Sequence, residues 1–361
     1  MFKKIATIIG STLFGTVLFA KVKEKRSYKS FLQEKMIRIS GMKKTFESID
    51  DAKKALNETK YQTAGKYNGT TYEFKHKVQI RDYYGSLVYV VNDHGLPDQR
   101  TVLYVHGGAW FQDPLENHFE YLDLLVDALD ARVIMPVYPK IPHRDYRTTF
   151  ELLTKIYKRL LTKIDEPENL VIIGDSAGGQ IALAFAQMLK KEQLSQPGHI
   201  VLISPVLDAT FKNPEARKYE KEDPMLGIDG SKYLVELWAG DAPLDDYKMS
   251  PMNGDLEGLG HITLTVGTKE TLYPDAVKFS HMLNDKGIKH QFIPGYNLFH
   301  IYPLFPIPER QRFLEQLKKS LSQKSYNQMR CGYLMKDYNY VFPKIKRTLV
   351  INSIDNSNSL F

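Results

Sequence analysis

Apolar and polar positions follow two alternating patterns from about residue 70 onward. Short runs rich in β-branched residues alternate with longer stretches in which apolar residues recur every three or four positions; these are the patterns of strands and of amphipathic helices. Their order predicts an α/β fold with a doubly wound, mostly parallel sheet of eight strands. Strands are predicted at Val78–Ile80, Leu87–Val91, Thr101–Val105, Arg132–Val137, Leu170–Ile173, Ile200–Ile203, Ile262–Val266 and His290–Ile293. Helices are predicted at Leu122–Leu129, Phe150–Ile164, Ile181–Lys190, Ala276–Asn284 and Glu309–Leu321.

The hydrophobic pattern also indicates how the strands are arranged. Several inner strands are apolar throughout, as expected when helices cover both faces of a parallel sheet. No helical stretch separates the first two predicted strands. Because only antiparallel neighbours can be joined by a short turn, we expect these two strands to form an antiparallel edge.

Two further segments are predicted to form a cap. A connection rich in proline and charge follows Ile203 and extends to about residue 252, with a predicted helix around Lys232–Trp238. It is longer than a usual connection in an α/β domain. An insertion at this point lies at the carboxyl edge of the sheet, where open α/β folds bind ligands, so residues 205–252 are a candidate cap. Residues 27–69 are predicted as a helical cap segment, whose apolar stripe is typical of core packing, with a flap over a substrate pocket as the alternative.

The two ends of the chain differ from its body. Residues 5–20 carry no charge and follow Lys3 and Lys4, which predicts a signal peptide or membrane anchor over residues 1–26. A buried soluble helix is the alternative, which the lack of a polar face disfavours. Five basic residues follow directly, at positions 21, 23, 25, 26 and 29. The chain is therefore expected to be membrane-associated or exported, and these charges leave undetermined on which side of the membrane it lies. Residues 322–361 are polar and rich in Asn at their end, which predicts a disordered tail.

Composition and charge exclude several classes of protein. The chain has 361 residues and a single cysteine, Cys331, which excludes a disulfide framework and multi-cysteine metal sites. The net charge of +7 resides at the ends: residues 1–60 hold 14 Lys and Arg against 6 Asp and Glu, whereas residues 61–321 hold 29 against 34. The body of the protein therefore lacks the basic character of a nucleic-acid-binding domain. Without a His-Glu-x-x-His or a Gly-x4-Gly-Lys-Ser/Thr motif, no metal and no cofactor are expected. The oligomeric state is open.

The strongest chemical signal is the sequence Gly174-Asp175-Ser176-Ala177-Gly178, extended by Gly179. It follows a predicted apolar strand and precedes a predicted helix, the context of a nucleophile elbow. The small residues are needed because a strained strand-to-helix turn brings neighbouring backbone close. We therefore predict that Ser176 is a nucleophile. The alternative is an ordinary helix N-cap serine.

A second motif, His106-Gly107-Gly108-Ala109-Trp110, directly follows the strand predicted at Thr101–Val105. Acyl transfer requires N–H donors aimed at the oxygen that becomes negatively charged. Gly107 and Gly108 are predicted to supply two of them and Ala177, the residue after the nucleophile, the third. His106 is interpreted as a structural residue that braces this loop.

The nucleophile requires a base and an acid that orients it. In α/β hydrolases these follow the nucleophile in the order acid, then histidine. His300 lies in a loop after the last predicted strand and is the candidate base, whereas His281 and His290 fall in a helix and at a strand start. Glu270 follows the preceding strand and is the candidate acid. Asp275 is its rival, although Asp275 is also placed to be a helix N-cap.

Together these motifs resemble the hormone-sensitive-lipase-like carboxylesterases of the α/β-hydrolase fold. The segments Ser204–Asp208, Asp223–Leu226 and Ser250–Pro251 add to the likeness, which covers about residues 70–321. The resemblance implies a catalytic domain over these residues and a helical cap that includes residues 205–252. Two positions depart from the family pattern: Ala109 replaces the usual third glycine, and Glu270 replaces the aspartate of many relatives.

The leading hypothesis is a serine carboxylesterase that hydrolyses short-acyl esters through Ser176, His300 and Glu270. The resemblance implies small acyl groups, and Trp110, Phe111 and Trp238 are the residues predicted to shape the substrate pocket. An amidase or arylformamidase on the same fold is the alternative within enzymes. A non-catalytic receptor for a small ligand is the alternative outside them, and the presence of His300 argues against it.

Overall fold

An eight-stranded sheet forms the centre of the protein in the computed structural model, which describes residues 15–322. Its strand order is β1-β2-β4-β3-β5-β6-β7-β8. Strand β1 pairs antiparallel with β2, and β2 pairs antiparallel with β4, whereas every neighbouring pair from β4 to β8 is parallel. The strands are β1 Val78–Tyr83, β2 Ser86–Val91, β3 Thr101–Val105, β4 Arg132–Pro136, β5 Leu170–Asp175, β6 His199–Ile203, β7 His261–Gly267 and β8 His290–Gly295.

The predicted α/β fold and the number of strands are confirmed. The antiparallel edge formed by β1 and β2 is confirmed as well. The second antiparallel pairing, of β2 with β4, was not predicted, because β3 lies between them in the chain and β4 pairs with it on the other side. Hydrophobic periodicity reports which residues are buried and does not report which strands become neighbours.

Two helical layers cover the sheet. Alternate residues of each inner strand point to opposite faces: Leu170 and Ile172 of β5 join one core, and Val171 and Ile173 join the other. The first core contains α5, α6 and α9, and the second contains α4 and α10. The helices are α1 Tyr28–Ser40, α2 Lys44–Glu47, α3 Ile49–Thr59, α4 Glu116–Leu129, α5 Tyr146–Leu161, α6 Ala177–Lys191, α7 Pro214–Glu220, α8 Ile228–Ala239, α9 Tyr273–Asp285 and α10 Pro308–Ser322.

The amino-terminal helices and the insertion between β6 and β7 pack against each other. Helix α1 begins at an N-cap, Ser27, whose hydroxyl accepts a hydrogen bond from the Ser30 amide, and Ser48 caps α3 in the same way. The insertion contains α7 and α8; only α8 was predicted from the sequence. Gly230 of α8 lies against Phe46 of α2, where a Cβ atom would come within 2.7 Å of the Phe46 backbone. Glycine therefore permits a close approach of the two cap segments.

The structure describes only part of the segment that is predicted to be a signal peptide or membrane anchor. Residues 5–14 of the predicted stretch 5–20 lie outside the described residues, as does the predicted disordered tail beyond Ser322. Within residues 15–322, no helix combines the length and the apolar character that crossing a membrane requires. The division of the chain at residues 26, 69 and 321 stays a prediction.

Candidate active site

The turn between β5 and α6 presents Ser176 at the carboxyl edge of the sheet. Its backbone has φ 54° and ψ −122°, an uncommon conformation for a residue with a side chain. Gly178 makes the turn possible, since a Cβ atom there would collide with the Val105 carbonyl oxygen. Ser176 occupies the N-cap position of α6, yet its side chain makes no capping hydrogen bond. The hydroxyl is therefore available for another partner.

That partner is the imidazole of His300. Its Nε2 lies 2.9 Å from the Ser176 Oγ, although 124 positions separate the two residues in the chain. On the other side of the ring, Nδ1 lies 2.5 Å from the Glu270 Oε2. His300 and Glu270 are both buried. The three side chains predicted as nucleophile, base and acid are thus within hydrogen-bonding distance of one another, in that order.

The carboxylate of Glu270 is held in place from its second oxygen. Oε1 accepts hydrogen bonds from the Ser204 hydroxyl at 2.7 Å and from the Gly267 amide at 2.5 Å. The Ser204 Oγ in turn accepts a hydrogen bond from the Ile301 amide, next to the imidazole. A carboxylate that uses one oxygen for fixed donors can direct the other toward His300.

Asp275, the rival acid, does not reach this site. It lies in the first turn of α9, and its carboxylate accepts a hydrogen bond from the Asn213 side-chain amide at 2.7 Å. The expectation that Asp275 is an N-cap is wrong, because α9 begins at Tyr273 and its N-cap is Leu272. The helix was predicted to begin at Ala276, but it includes Pro274 in its first turn, where proline is well tolerated.

Charges around His300 determine its titration. Burial by itself would lower the pKa of His300, but the negative charge of Glu270, with smaller contributions from Asp223 and Asp175, outweighs it and raises the pKa above 6.5. Asp223 was not singled out as a functional residue. Its carboxylate accepts hydrogen bonds from the Thr271 amide at 2.7 Å and from the Met225 amide at 2.8 Å. It thereby joins the insertion to the loop that carries Glu270, and burial raises its own pKa.

The amides near Ser176 differ from the predicted set. The Gly107 amide donates to the Asp175 Oδ1 at 3.0 Å, so it is not available as an oxyanion donor. The amides of Gly108, Ala109 and Ala177 have no hydrogen-bond acceptor among residues 15–322. Ala109 and Ala177 both line the cavity beside Ser176. On this loop the Gly107 amide therefore already has an acceptor, whereas the amides of Gly108 and Ala109 have none among the described residues. The absence of a Cβ was the wrong criterion, because the amide's existing partner decides its availability.

The contacts of His106 are those of a bracing residue. Its ring is fully buried, stacks on Tyr138 at 4.4 Å between ring centroids, and holds its Nδ1 2.6 Å from the Gly107 carbonyl oxygen. The buried Lys140 Nζ lies 3.3 Å from the other ring nitrogen. Burial lowers the pKa of His106 well below its usual range and that of Lys140 to about 7. A neutral ring of this kind can accept from Lys140 at Nε2 while donating from Nδ1.

The cavity beside Ser176 is small. Its volume is about 20 Å³, which is roughly room for one water molecule. Trp110 lines it, as predicted, but Phe111 and Trp238 do not: Trp238 is buried behind Trp110, with 5.9 Å between the two ring centroids, and Phe111 is fully enclosed in the core. The sequence-based prediction missed the other large side chains of the wall, which come from both cap segments and from the loop after β7. They are Phe46, Val206, Phe211, Leu226 and Leu272.

A second cavity lies away from these residues. Its volume is about 70 Å³, and it lies between α5 and the strands β1, β2 and β4. Cationic side chains and the apolar ends of core residues line it, and its wall contains no serine, cysteine or histidine. The smaller cavity is therefore the one whose wall includes Ser176, the residue whose hydroxyl contacts His300.

Comparison with known proteins also indicates an enzyme of the class that hydrolyses esters. The profile of a family described as having the alpha/beta hydrolase fold matches residues 102–304. An esterase of Acinetobacter venetianus is 28% identical over 221 residues, covering 60% of this chain and 73% of its own length. An acetyl-hydrolase of Streptomyces hygroscopicus is 27% identical over 220 residues, covering 60% of this chain and 74% of its own. Among solved structures, a putative esterase from Staphylococcus aureus superposes with a TM-score of 0.74 at 27% identity, covering 78% of this chain and 96% of that one.

The sheet topology, the cap and these likenesses define an ester hydrolase. The chain belongs to the α/β-hydrolase family, whose profile matches more than half of it. The predicted likeness to hormone-sensitive-lipase-like esterases is confirmed by the esterases and lipases among its relatives. A structure described as an esterase from the bacterial hormone-sensitive lipase family has the same fold, with a TM-score of 0.70 at 21% identity over 82% of this chain.

Proposed function

We propose that this protein is a serine carboxylesterase in which Ser176 is the nucleophile, His300 the general base and Glu270 the acid that orients it. The observation that carries the proposal is the continuous contact from Oγ of Ser176 through both ring nitrogens of His300 to the Glu270 carboxylate, at 2.9 Å and 2.5 Å. Such a chain permits a neutral hydroxyl to become a nucleophile, because its proton has an acceptor and the resulting imidazolium has a buried counter-charge.

The reaction would proceed in two steps. The Ser176 Oγ attacks the ester carbonyl carbon, and its proton moves to the His300 Nε2. The carbonyl oxygen becomes an oxyanion that the amides of Gly108, Ala109 and Ala177 stabilise. The intermediate then collapses, and Nε2 returns the proton to the departing alcohol. In the second step, water loses a proton to Nε2 and attacks the acyl group, and a free carboxylic acid leaves with Ser176 regenerated.

The small cavity supports a preference for short acyl groups. The cavity of about 20 Å³ beside Ser176 holds roughly one water molecule, so any bound acyl group displaces its wall, and a short group such as acetyl displaces it least. The first relatives are named esterase and acetyl-hydrolase, which agrees with esters of small acids as substrates. Trp110 is the predicted pocket residue that remains in this proposal.

The test is hydrolysis of p-nitrophenyl acetate by the full chain and by Ser176→Ala. We expect the variant to retain the thermal unfolding temperature of the wild type and to lose about 10³-fold or more in kcat. A fluorophosphonate probe should label the wild type and leave Ser176→Ala unlabelled, whereas Ser195→Ala, which removes the hydroxyl of an exposed serine in the loop before β6, should still be labelled. Hydrolysis that continues undiminished in Ser176→Ala would exclude Ser176 as the nucleophile.

The amidase alternative is tested with the same preparations. An N-formyl arylamine is offered in parallel with p-nitrophenyl acetate, and the values of kcat/KM are compared. We expect the ester to be the better substrate. A higher kcat/KM for the formamide would reassign the reaction while leaving the roles of Ser176, His300 and Glu270 unchanged.

A further inference from the structure

The surface of the amino-terminal cap carries an unusual concentration of exposed apolar side chains. Seven of the fifteen large hydrophobic side chains that are exposed in residues 15–322 fall between positions 18 and 42. Ile39 is 85% exposed and Met36 is 63% exposed. Single exposed hydrophobic residues are ordinary, but a concentration of them in one stretch of the chain is typical of an interaction site. We call this group the apolar face; it consists of Leu18, Phe19, Val22, Leu32, Met36, Ile39 and Met42.

Helix α1 carries apolar residues on the side that points away from the protein. Ser30, Glu34 and Ile37 share one side of the helix and are buried. Leu32, Met36 and Ile39 have the same i, i+4, i+7 spacing, so they also share a side. The two sets are offset by two residues, which is about 200° of helix rotation. A helix that only packs on a core buries its apolar side chains and exposes its polar ones. In α1 the polar Ser30 and Glu34 are buried instead, and an apolar set of side chains is exposed.

Positively charged residues lie among the residues of the apolar face in the sequence. Lys21, Lys23, Lys25, Lys29 and Lys35 are all exposed. The two acids in the same segment are turned inward: Glu34 is buried and its carboxylate lies 2.6 Å from the Arg26 guanidinium, and Glu24 pairs with the same arginine. The solvent-exposed surface of this segment therefore consists mainly of apolar side chains and lysines, and its two carboxylates are paired with Arg26 on the inner side.

The segment is firmly attached to the body of the protein. Arg26 donates to the Asn297 carbonyl oxygen at 2.8 Å, and Lys269 approaches Glu24 at 3.1 Å and Glu34 at 3.5 Å. The Ser27 amide and hydroxyl both donate to the Glu309 carboxylate. These contacts use the inner side of the segment. Helix α1 is thus held in place with Leu32, Met36 and Ile39 exposed on its outer side.

We propose that the apolar face rests on the surface of an anionic phospholipid bilayer. Apolar side chains bordered by lysines match the boundary between acyl chains and negatively charged headgroups. A second copy of this chain fits less well, because a symmetric contact would bring two sets of lysines together. The uncharged sequence from Ile5 to Phe14 immediately precedes this segment, which extends the apolar character toward the amino end.

The orientation has a consequence for the proposed ester hydrolysis. Helix α1 leads into α2, and Phe46 of α2 lines the cavity beside Ser176. Docking through α1 would bring the amino-terminal cap segment, which contributes Phe46 to the wall of that cavity, close to the lipid surface. This consequence rests on the proposed function, whereas the docking itself does not, and the experiment below therefore measures binding alone.

The experiment reports contact at single positions. In the full chain, Cys331→Ser removes the native thiol, and Met36→Cys or Ile39→Cys introduces one on the apolar face for labelling with an environment-sensitive fluorophore. Leu96→Cys, at an exposed apolar residue elsewhere on the surface, is the matched control. Each labelled protein is mixed with vesicles of phosphatidylcholine containing phosphatidylglycerol and a nitroxide-labelled lipid, and with vesicles of phosphatidylcholine alone.

We expect quenching at positions 36 and 39 with the anionic vesicles and none at position 96. Binding should weaken about tenfold or more when salt rises from about 0.1 M to about 1 M, since the Debye length falls from about 10 Å to about 3 Å. Ser176→Ala should bind the anionic vesicles as tightly as the wild type does, which would show that vesicle binding does not depend on the proposed esterase activity.

Four outcomes would overturn the proposal. The first is an absence of vesicle binding, and the second is binding that leaves the label at position 36 unquenched, which would assign attachment to another part of the chain. The third is equal quenching at position 96, which would indicate adsorption without orientation. The fourth is shielding of the labels at positions 36 and 39 from solvent in the absence of lipid. If this shielding depends on protein concentration, a second copy of the chain covers the apolar face. If it does not, residues 1–14 cover it.

Discussion

At the scale of single residues, His300 illustrates how a motif becomes a site. Its ring lies between the Ser176 hydroxyl and the Glu270 carboxylate. The sequence indicated these three residues because each follows a strand of the predicted sheet, where α/β folds collect functional side chains. The sequence-based prediction chose the Gly107 amide as an oxyanion donor, but this amide donates to Asp175. Asp175 is 68 positions away and becomes a neighbour of Gly107 only in the folded chain.

The pH dependence of kcat/KM follows from the titration of His300. A protonated imidazole cannot accept the serine proton, and the charge of Glu270 raises the pKa of His300 above 6.5. For p-nitrophenyl acetate we expect kcat/KM to fall about tenfold per pH unit below an apparent pKa at or above 6.5. The measurement is a pH–rate profile at constant ionic strength.

The control is Glu270→Gln, which removes the charge and should move the acid limb of the profile to lower pH, together with a loss of kcat. Full activity of the wild type at pH 4 would contradict a histidine base at position 300.

At the scale of elements, the cap determines the shape of the site. The predicted strands and helices were close to the observed ones, and β3 matched at both ends, because a period of two or of 3.6 is a local property of the chain. The walls of the cavity were predicted less well. Phe46, Phe211 and Leu226 come from two cap segments that are separate in the sequence and meet through the contact of α2 with α8.

Removing the ring of Phe46 should widen the acyl preference. Phe46 lines the cavity of about 20 Å³ beside Ser176, so Phe46→Ala creates space next to the scissile ester. We expect the ratio of kcat/KM for p-nitrophenyl hexanoate to that for the acetate to rise about tenfold or more, since a single methylene in an apolar pocket is worth that much.

The matched control is Ile49→Ala, which truncates an exposed residue of the same cap segment. Loss of a buried ring costs about 3–5 kcal/mol in unfolding free energy, so thermal unfolding is measured in parallel, and Phe46→Leu serves if the alanine variant does not fold. A folded variant with an unchanged ratio would show that the acyl group does not contact Phe46.

At the scale of the whole molecule, a buried ion cluster connects the amino-terminal segment to the loops of the proposed active site. Arg26 and Glu34 are buried and lie 2.6 Å apart, and Lys269 is next to Glu270 in the chain. Burial alone would raise the pKa of Glu34, but the charges of Arg26 and Lys269 outweigh it and lower the pKa below 4.5. No sequence motif marks this cluster, because Lys269 is 235 positions away from Glu34 in the chain.

Removing Arg26 should destabilise the protein, and the loss of stability should depend on pH. Arg26→Met leaves a buried carboxylate with weaker partners, and we expect a loss of about 2–4 kcal/mol in unfolding free energy at neutral pH. Because a lowered carboxyl pKa contributes stability that disappears as the pH falls through it, the deficit should narrow below about pH 4.5. Urea unfolding at several pH values measures both effects.

The control is Lys54→Met, which removes an exposed ion pair with Glu58 and should change stability by about 0.5 kcal/mol or less. If Arg26→Met matched this control at neutral pH, the cluster would have no role in anchoring the amino-terminal segment to the fold.

The sequence by itself determined the succession of strands and helices, the strained turn at Ser176 and the positions of a candidate base and acid. These are properties of neighbouring residues: periodicity, glycine at a tight turn, and side chains at strand ends. Only the tertiary structure decided the pairing of β2 with β4, the hydrogen bond that occupies the Gly107 amide, the walls of the cavity and the exposed apolar side of α1. Each of these depends on contacts between distant parts of the chain, whose geometry no local pattern contains.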